Sequence, residues 1–504
     1  MSLTNGSNNG HSSSSGGGGA YSAGWNIGLI NSHGKYLTAE TFGFKINASG
    51  SSMKRKQIWT LEQNGGDSVV SLRSHMGRYM STDKFGNVTC EAEDCGPSEG
   101  FSIEISKDGR WAFKSVEFGY YFGGVGDNLR CTSKASLTDD VLWSVHLAVH
   151  PQVNLRNVNR KRYAHLREEE MHVDENIPWG RDALVTLELR EGKYAVKTCD
   201  DRYLHRDGRL VDEADANTLY RLEFHGGYMA LKDCAGRYLT AVGADGHMKS
   251  RNSTVTKDEL FSVEESHPQA SFVAHNGRRV STKQGVDLSA NQEELTDTEI
   301  FQIERVKTSK KWLIRTKQDK YWSLESGGGI QAKSSTISPS CHFDLDWQQN
   351  GSVAVKAPNG RYVTAKMNGQ LSATIDEPTA KEHFRFQLIN RPIMVLRGSH
   401  GFVGFKSTAS RKLECNKSSH DIIKVEQNED GSYFLKDRNN HYWHIEDDYF
   451  ITTEGAPASE FYLELQDHTL MSIRSKSGYY LRGEQSGLFK ANGTEIKNDT
   501  LWEF

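Results

Sequence analysis

The sequence has few residues that could cross-link or interrupt a fold. Its seven cysteines are an odd number at irregular spacing without a CxxC pair, so neither a disulfide framework nor a zinc ribbon is supported. No window approaches the roughly 18 apolar residues of a membrane helix, and membrane insertion is not expected. The first residues lack the apolar segment of a signal peptide, which predicts a cytoplasmic protein.

An excess of charge of one sign is also lacking. The chain has 61 Lys and Arg against 65 Asp and Glu, for a net charge of −4. Nucleic-acid binding favours a basic stripe and a basic domain, so no nucleic-acid partner is expected. Local basic clusters remain at residues 54–56, 160–162 and 310–311. Taken alone, such clusters are typical of solvated loops.

Signatures of catalysis are missing as well. "GLINSHGKYL" fails as a P-loop because Leu29 replaces the first glycine and Tyr36 replaces the Ser or Thr that would meet magnesium. "FGGVGDNL" lacks the third glycine of a dinucleotide fingerprint. In "HYWHIE", His441 and His444 would point to opposite faces of a strand, which disfavours a metal site. No enzyme activity, cofactor or metal is therefore expected.

A repeat of about 40 residues runs through the chain. Short G-x-Y-L-like motifs recur, from "GKYL" at Tyr36 and "GRYM" at Tyr79 to "GYYL" at Tyr480. The units close on alternating apolar runs such as "IWTLE", "LFSVE" and "LWEF". Because alternation with a period of two is typical of half-buried strands, the twelve units are predicted to be β-structure rather than helix.

A longer period groups the units in threes. Three of the nine prolines lie in "HPQV", "HPQA" and "RPIM", which begin about 120 residues apart at His150, His267 and Arg391. Proline offers no N–H to a strand ladder and suits a junction. The predicted division is a disordered Gly/Ser-rich tail over 1–24, followed by domains at 25–149, 150–266, 267–390 and 391–504.

Three units in a domain favour a β-trefoil, in which three similar four-stranded lobes close a barrel, over a propeller of four to eight blades. The predicted fold is all-β, with four tandem β-trefoil domains. The recurrent tyrosines and tryptophans are then predicted to pack in the core and the cap.

Longer strings resemble fascins, in fascin order from about Ile27 to Phe504. They include "GLINSHGKYLTAETFGFKINASGSSMKRKQIWTLEQ", "HPQVNLRNVNRKRYAHL", "QGVDLSANQ" and the terminal "LWEF". The resemblance implies a monomer of four β-trefoils that cross-links F-actin into tight parallel bundles. It also implies a location in the cytoskeleton of actin-rich protrusions such as filopodia, microspikes and bristles. Cross-linking requires at least two actin-binding surfaces on one rigid body.

The resemblance further implies the residues of the site. Ser52 stands where a protein kinase C-type kinase phosphorylates fascins and switches off actin binding. A phosphate adds about −1.5 to −2 charge, which would pair with the neighbouring cations and repel acidic actin. Met367 replaces a lysine of some fascins, and the match at Lys406 is approximate because "KSTASRKL" differs in length from relatives. The implied actin-binding residues are Lys35, Lys54, Arg55, Lys56, Arg160, Lys161, Arg162, Arg361, Lys366, Lys406 and Arg482.

Two other functions stay open at this point. A trefoil lectin would carry repeated Q-x-W units, whereas "QIW" at Gln57 occurs once. A scaffold that keeps the fold without actin affinity is disfavoured only by the intact basic clusters. Which clusters share a surface depends on how the four domains pack.

Overall fold

The computed structural model describes residues 24–63, 68–135, 137–407 and 409–504. Within these ranges the regular structure consists of strands and seven 3-10 turns, and no helix there is long and apolar enough to cross a membrane. Apart from Gly24, the predicted N-terminal tail lies outside the described residues. Each 3-10 turn precedes the fourth strand of a lobe: Arg55–Gln57, Pro97–Glu99, Arg181–Ala183, Asp297–Glu299, Pro339–Cys341, Ala380–Glu382 and Asn498–Thr500.

The first barrel is built from three four-stranded lobes. In each lobe the first and fourth strands belong to the barrel, and the second and third form a hairpin over one end. All pairs are antiparallel, and a bridge between Trp111 and Trp143 closes the ring. Its strands are β1 (Trp25–Ile30), β2 (Tyr36–Ala39), β3 (Ile46–Gly50), β4 (Trp59–Gln63), β5 (Val69–Ser74), β6 (Tyr79–Thr82), β7 (Val88–Ala92), β8 (Phe101–Ile105), β9 (Trp111–Ser115), β10 (Tyr121–Val125), β11 (Asn128–Ser133) and β12 (Ser144–Leu147).

The three hairpins of this barrel interlock with threefold symmetry. A carbonyl at each hairpin tip accepts a backbone N–H from a neighbouring hairpin, so the cap closes as a ring of like contacts. This arrangement, repeated lobe by lobe, confirms the predicted trefoil. The bonds run from Cys90 N to Phe44 O (2.9 Å), from Cys131 N to Gly86 O (2.9 Å) and from Ala48 N to Gly126 O (2.8 Å).

The second and third barrels repeat the same plan. The second contains β13 (Gln152–Asn157), β14 (Tyr163–Arg167), β15 (Glu170–Glu175), β16 (Val185–Arg190), β17 (Lys193–Lys197), β18 (Tyr203–Leu204), β19 (Leu210–Val211), β20 (Leu219–His225), β21 (Tyr228–Lys232), β22 (Tyr238–Val242), β23 (His247–Asn252) and β24 (Phe261–Glu265). The third contains β25 (Gln269–Val273), β26 (Arg279–Ser281), β27 (Ser289–Gln292), β28 (Phe301–Arg305), β29 (Trp312–Arg315), β30 (Tyr321–Leu324), β31 (Ile330–Ser334), β32 (Asp344–Trp347), β33 (Val353–Lys356), β34 (Tyr362–Ala365), β35 (Leu371–Ile375) and β36 (His383–Leu388).

The fourth barrel differs because its first strand is split into β37 and β38, which pair with β41 and β49. Its strands are β37 (Ile393–Met394), β38 (Arg397–Gly398), β39 (Gly401–Phe405), β40 (Leu413–Lys417), β41 (Ile423–Gln427), β42 (Tyr433–Lys436), β43 (His444–Ile445), β44 (Ile451–Thr452), β45 (Glu460–Leu465), β46 (Leu470–Ser475), β47 (Tyr480–Gly483), β48 (Phe489–Gly493) and β49 (Trp502–Glu503). Together the four barrels confirm the predicted all-β fold of four tandem trefoils.

The barrels pack in two equivalent pairs, and each pair shares one continuous apolar core. Tyr194 of the second barrel accepts the Leu147 N–H at 2.8 Å and donates to the carbonyl two residues earlier at 2.9 Å. Tyr433 of the fourth barrel makes the same two bonds with Leu388 and its strand, at 3.1 and 3.3 Å. Six tryptophans are fully buried, in agreement with the predicted core role: Trp59, Trp111, Trp143, Trp322, Trp443 and Trp502.

The split strand of the fourth barrel joins the two pairs. Gln152 Nε2 donates to Ile393 O at 3.0 Å, and Val395 N–H donates to Gln152 Oε1 at 2.8 Å. His150 Nε2 lies 3.0 Å from the Val395 carbonyl. The backbone N–H and carbonyl of Val395 thus face side chains of the second barrel, and the first strand of the fourth barrel is interrupted at this residue, between β37 and β38. A buried cluster covers this junction: Leu184, Cys199, Ile393, Val395, Phe402 and Ile422.

A second glutamine holds the third barrel. Gly180 N–H donates to Gln269 Oε1 at 2.8 Å, and Gln269 Nε2 donates to Pro178 O at 2.9 Å. Nearby, the fully buried Arg391 donates to Ser266 O at 2.8 Å, and burial lowers its pKa to about 9. Gln152 and Gln269 lie in the motifs "HPQV" and "HPQA". The prolines of these motifs predict a junction between domains, but no sequence pattern predicts that the glutamines bond across it.

Candidate functional site

The first basic cluster lies on a short turn between β3 and β4. Gln57 is buried, accepts the Lys54 N–H at 3.1 Å on its Oε1 and donates to Thr38 Oγ1 at 3.0 Å. The Gln57 N–H also donates to Lys54 O at 2.8 Å, which closes the turn. Because Gln57 anchors the turn from inside, Lys54, Arg55 and Lys56 are all left exposed.

Ser52 lies just before this cluster and is half-buried. The next residue, Met53, packs on Gly28 of β1, where a Cβ would come within 2.8 Å of the methionine Sδ. Met53 therefore fixes the loop between Ser52 and Lys54 against the barrel. Ser52 therefore stands two residues before Lys54, the first cation of the cluster, on a loop that is fixed to the barrel.

One cation of the cluster forms an ion pair, and the charges of the cluster act on neighbouring titratable groups. Lys56 Nζ lies 2.8 Å from Glu40 Oε2, and this hydrogen bond, with a second from Asn47, lowers the pKa of the Glu40 carboxyl. The pKa of His75 is lowered by its partial burial and then by the charges of Arg55 and Lys56. An exposed pair of this kind adds little stability. Within the described residues, Lys56 is the cation of the turn that forms an ion pair, and no ion pair is found for Lys54 or Arg55.

The cluster extends toward the fourth barrel. The pKa of His400, in the turn between β38 and β39, is lowered by burial and by the charge of Lys54, and Asp499 opposes that shift. Asp499 Oδ2 in turn lies 2.7 Å from Arg482 Nε, and this hydrogen bond raises the pKa of the guanidinium. The charges of Lys54, on the first barrel, and of Asp499, which pairs with Arg482 on the fourth, thus both act on His400. We call Lys54, Arg55, Lys56, His400 and Arg482 the 1–4 surface.

His400 and Asp499 were not among the predicted site residues. They are separated from the basic turn by several hundred residues, and neither belongs to a motif that signals charge. Only the packing of the fourth barrel on the first reveals them.

In the second basic cluster, residues 160–162, the two arginines form hydrogen bonds within their own barrel. Arg160 is half-buried and donates to the carbonyls of Ala241 at 3.2 Å and Ala244 at 3.3 Å, so it holds the turn between β22 and β23. Arg162 bonds the side chain of Asn176. Lys161 is exposed with φ of +55° at the tip of its turn. Lys161 is therefore the cation of this cluster that points freely to solvent.

The predicted residues of the third barrel lie at the two ends of β34. Arg361 Nε is 3.0 Å from Asp376 Oδ1, and both side chains are exposed. Lys366 is exposed in the turn that follows the strand, next to the exposed Met367. Among the remaining predicted residues, Lys35 is exposed in the β1–β2 turn and Lys406 is exposed after β39. These cations are thus distributed over separate barrels.

No group of three His, Cys, Asp or Glu side chains in the described part of the chain is placed to hold a metal ion. His441 Nδ1 lies 2.9 Å from Asp437 Oδ2, whereas His444 Nδ1 lies 2.8 Å from Pro457 O. The two imidazoles therefore have different partners. All seven cysteines lie in the described part of the chain, and none of them forms a disulfide bond.

Comparison with known proteins agrees with this architecture. The family model named Fascin domain matches residues 33–145, 153–263, 275–386 and 400–504. The chain is 45% identical to Fascin-2 of Bos taurus over 483 residues, which cover 95% of this chain and 97% of the relative. It is 38% identical to Fascin of Strongylocentrotus purpuratus over 500 residues, which cover 95% of this chain and 99% of the relative. With four matched repeats and relatives of this identity along nearly their whole length, the chain belongs to the fascin family.

Proposed function

We propose that this chain cross-links actin filaments into tight parallel bundles. Membership of the fascin family gives the coarse assignment, which is that of a structural, actin-bundling protein rather than an enzyme. The observation that carries the finer proposal is the 1–4 surface, where the charge of Lys54 on the first barrel acts on His400 of the fourth, close to the Asp499–Arg482 ion pair. Actin is acidic, so exposed cations steer the approach and fix the register of the contact.

A cross-linker also needs a second surface on the same rigid body. Lys161 on the second barrel and Lys366 on the third are exposed, on barrels other than the one that carries the basic turn. Domains move relative to each other unless their interface is large and apolar. Here each pair of barrels shares a core, and Gln152 links the pairs, so the cationic faces keep a fixed spacing.

Ser52 supplies the proposed regulation. Its hydroxyl is within two residues of Lys54, and a phosphate there would carry about −1.5 to −2 charge. That charge would pair with Lys54 and Arg55 and would repel the acidic filament. A protein kinase C-type kinase is the proposed enzyme for this step.

The remaining parts of the proposal follow from the resemblance. The chain works as a monomer whose domain boundaries fall near residues 150, 267 and 391. Its partner is F-actin, and its place is the cytoplasmic cytoskeleton of filopodia, microspikes and bristle-like protrusions.

A sedimentation experiment tests the proposal. Purified full-length protein is mixed with preformed actin filaments and centrifuged at high speed, which pellets all filaments, and at low speed, which pellets only bundles. The proposal expects the protein in both pellets. Protein that pellets at high speed but leaves the filaments unbundled at low speed would contradict the cross-linking function.

A further inference from the structure

The hairpin tips of the first barrel expose apolar side chains at equivalent positions. Phe42 is 90% exposed, Phe85 is 70% exposed and Val125 is 41% exposed. Each is followed by a glycine with positive φ, at +68°, +76° and +60°, so each sits at the turn of its hairpin. We refer to Phe42, Phe85 and Val125 as the apolar tips.

The interlocked cap holds the apolar tips in place. The tip carbonyl of Gly86 accepts the Cys131 N–H at 2.9 Å, and a Cβ on Gly86 would lie 2.8 Å from Cys131 O. Only glycine allows this close approach with φ of +76°. The tips are therefore fixed parts of a rigid surface, and a rigid aromatic side chain loses little conformational entropy on binding.

The side chains of Phe42 and Phe85 lie mostly in solvent rather than in the core. Exposed apolar side chains grouped on one face mark contact sites for partners. The corresponding tips of the second barrel carry polar residues, Glu168 with Glu169, Asp207 and Asp245. Apolar tips are thus not a requirement of the trefoil, since a neighbouring barrel builds the same hairpins without them.

The charges around Phe42 and Phe85 favour a partner with an acidic surface. Glu40, at the base of the first hairpin, is paired with Lys56 of the basic turn at 2.8 Å. Asp83, at the base of the second, accepts the N–H groups of Phe85 and Asn87, both at 2.8 Å. The acidic groups at the bases of these two hairpins are therefore engaged internally.

Cations near the tips are left to face solvent. Lys45 and Lys84 are exposed, and Lys84 Nζ lies 5.0 Å from the centre of the Phe85 ring. The face around Phe42 and Phe85 thus combines exposed aromatic anchors with exposed cations, whereas the third tip, Val125, lies two residues before the exposed carboxylate of Asp127. The complement of the face around Phe42 and Phe85 is an acidic protein surface that contains an apolar recess.

We propose that the apolar tips bind the actin filament together with the 1–4 surface, which they adjoin through the Lys56–Glu40 pair. This inference rests on the proposed function and extends it, because it adds an apolar contact to a site otherwise made of charges. The cations steer the filament and set the register, and Phe42 and Phe85 enter an apolar recess on the filament side.

The test compares two double variants of the full-length protein. Phe42→Ser with Phe85→Ser removes both aromatic tips. Val116→Ser with Ile337→Ser is the control, because these two side chains are each 53% exposed and lie outside the hairpin tips. Thermal melting of each variant is measured first, and unchanged midpoints are expected because all four side chains are exposed.

Filament affinity is then measured by high-speed co-sedimentation at two salt concentrations. The tip variant is expected to bind at least about tenfold more weakly at both concentrations, which corresponds to about 1.4 kcal/mol, since apolar contacts are not screened by salt. The control variant is expected to bind like the wild type.

Each other outcome has a definite meaning. Wild-type protein that binds filaments, with a tip variant that binds equally well, would overturn the apolar contact and leave the proposed function intact. Wild-type protein that never pellets with filaments would overturn both. Light scattering that shows a dimer of the wild type alone, abolished in the tip variant, would assign the tips to a second copy of this chain and overturn the proposal.

Discussion

Arg438 of the fourth barrel binds both carboxylate oxygens of Asp201 in the second, at 2.6 and 3.0 Å. Asp201 also pairs with Lys197, whose side chain is fully buried and lies 3.3 Å from Glu188. One carboxylate thus neutralises a buried cation and joins two barrels. The relative placement of the barrels is therefore fixed by charge as well as by apolar packing.

Asp201→Asn is expected to destabilise the protein. It leaves Lys197 with Glu188 as its partner and Arg438 without its carboxylate, so the loss is expected to stay below the roughly 3–5 kcal/mol that a buried charge left without any partner costs. Asparagine tolerates the φ of +71° at this position, so strain does not contribute. Chemical denaturation measures the loss. Asp376→Asn, which breaks the exposed pair with Arg361, is the control and should have little effect; equal effects of the two variants would contradict the argument.

Gln152→Ala is expected to loosen the contact between the two pairs of barrels. It leaves Ile393 O and Val395 N–H without their partner in the junction, and each unsatisfied buried group costs about 1–3 kcal/mol. The thermal midpoint should fall, and hydrogen exchange at the Val395 amide should accelerate. Gln292→Ala, on a half-exposed hairpin strand, provides the comparison. Unchanged exchange at Val395 would show that the amide clamp does not hold the junction.

Stability is expected to fall in mild acid because histidines are buried at the same junction. Burial, followed by the charge of Arg397, lowers the pKa of His146 to about 3, and burial lowers the pKa of His420 to about 4. The folded state keeps both imidazoles neutral, whereas the unfolded chain takes up protons near pH 6.5. The stability that depends on these two histidines is therefore fully present above about pH 6.5 and declines toward pH 4, by up to about 1.4 kcal/mol per pH unit for each group.

His468 has the opposite dependence. Hydrogen bonds that the imidazolium donates to Asp467 and then to Glu265 raise its pKa to about 9, so its contribution is complete below about pH 6.5 and is lost as the pH rises through 9. Urea denaturation between pH 4.5 and 9.5 should give a maximum near neutrality. His420→Gln should flatten the acidic limb, while His441→Gln, at an exposed imidazole, should leave it unchanged. An acidic limb that both variants share would rule out His420 as a source.

Ser52→Asp is expected to abolish bundling, and Ser52→Ala is expected to preserve it. The carboxylate places negative charge beside Lys54 and Arg55, where it weakens attraction to an acidic filament. Low-speed pelleting of actin with each variant measures the difference. If the two variants bundle alike, Ser52 is not the switch.

Local features of the fold could be predicted from the sequence because they repeat along the chain. The spacing of Tyr36, Tyr79 and their equivalents indicated the lobes, and alternation in runs such as "IWTLE" indicated strands. Contacts between barrels could not be predicted in this way. Gln152 and Val395, or Lys54 and His400, meet only after four barrels have packed, and no local pattern records such pairs. Sequence patterns can also assign a role to a residue that the fold already occupies. The charge of Arg160 suggests a binding role, whereas its guanidinium donates to backbone carbonyls of its own barrel.

The central claim is that separate cationic faces on one rigid body join two filaments. The most direct measurement is paired sedimentation of two full-length variants, Lys54→Glu with Arg55→Glu and Lys56→Glu on the first barrel, and Lys161→Glu with Lys366→Glu on the second and third. Each variant should still bind filaments at high speed through its intact face, although more weakly than the wild type, and should lose bundles at low speed, with unchanged thermal midpoints. A first variant that loses all filament binding, beside a second that bundles like the wild type, would show a single actin-binding face and contradict the account.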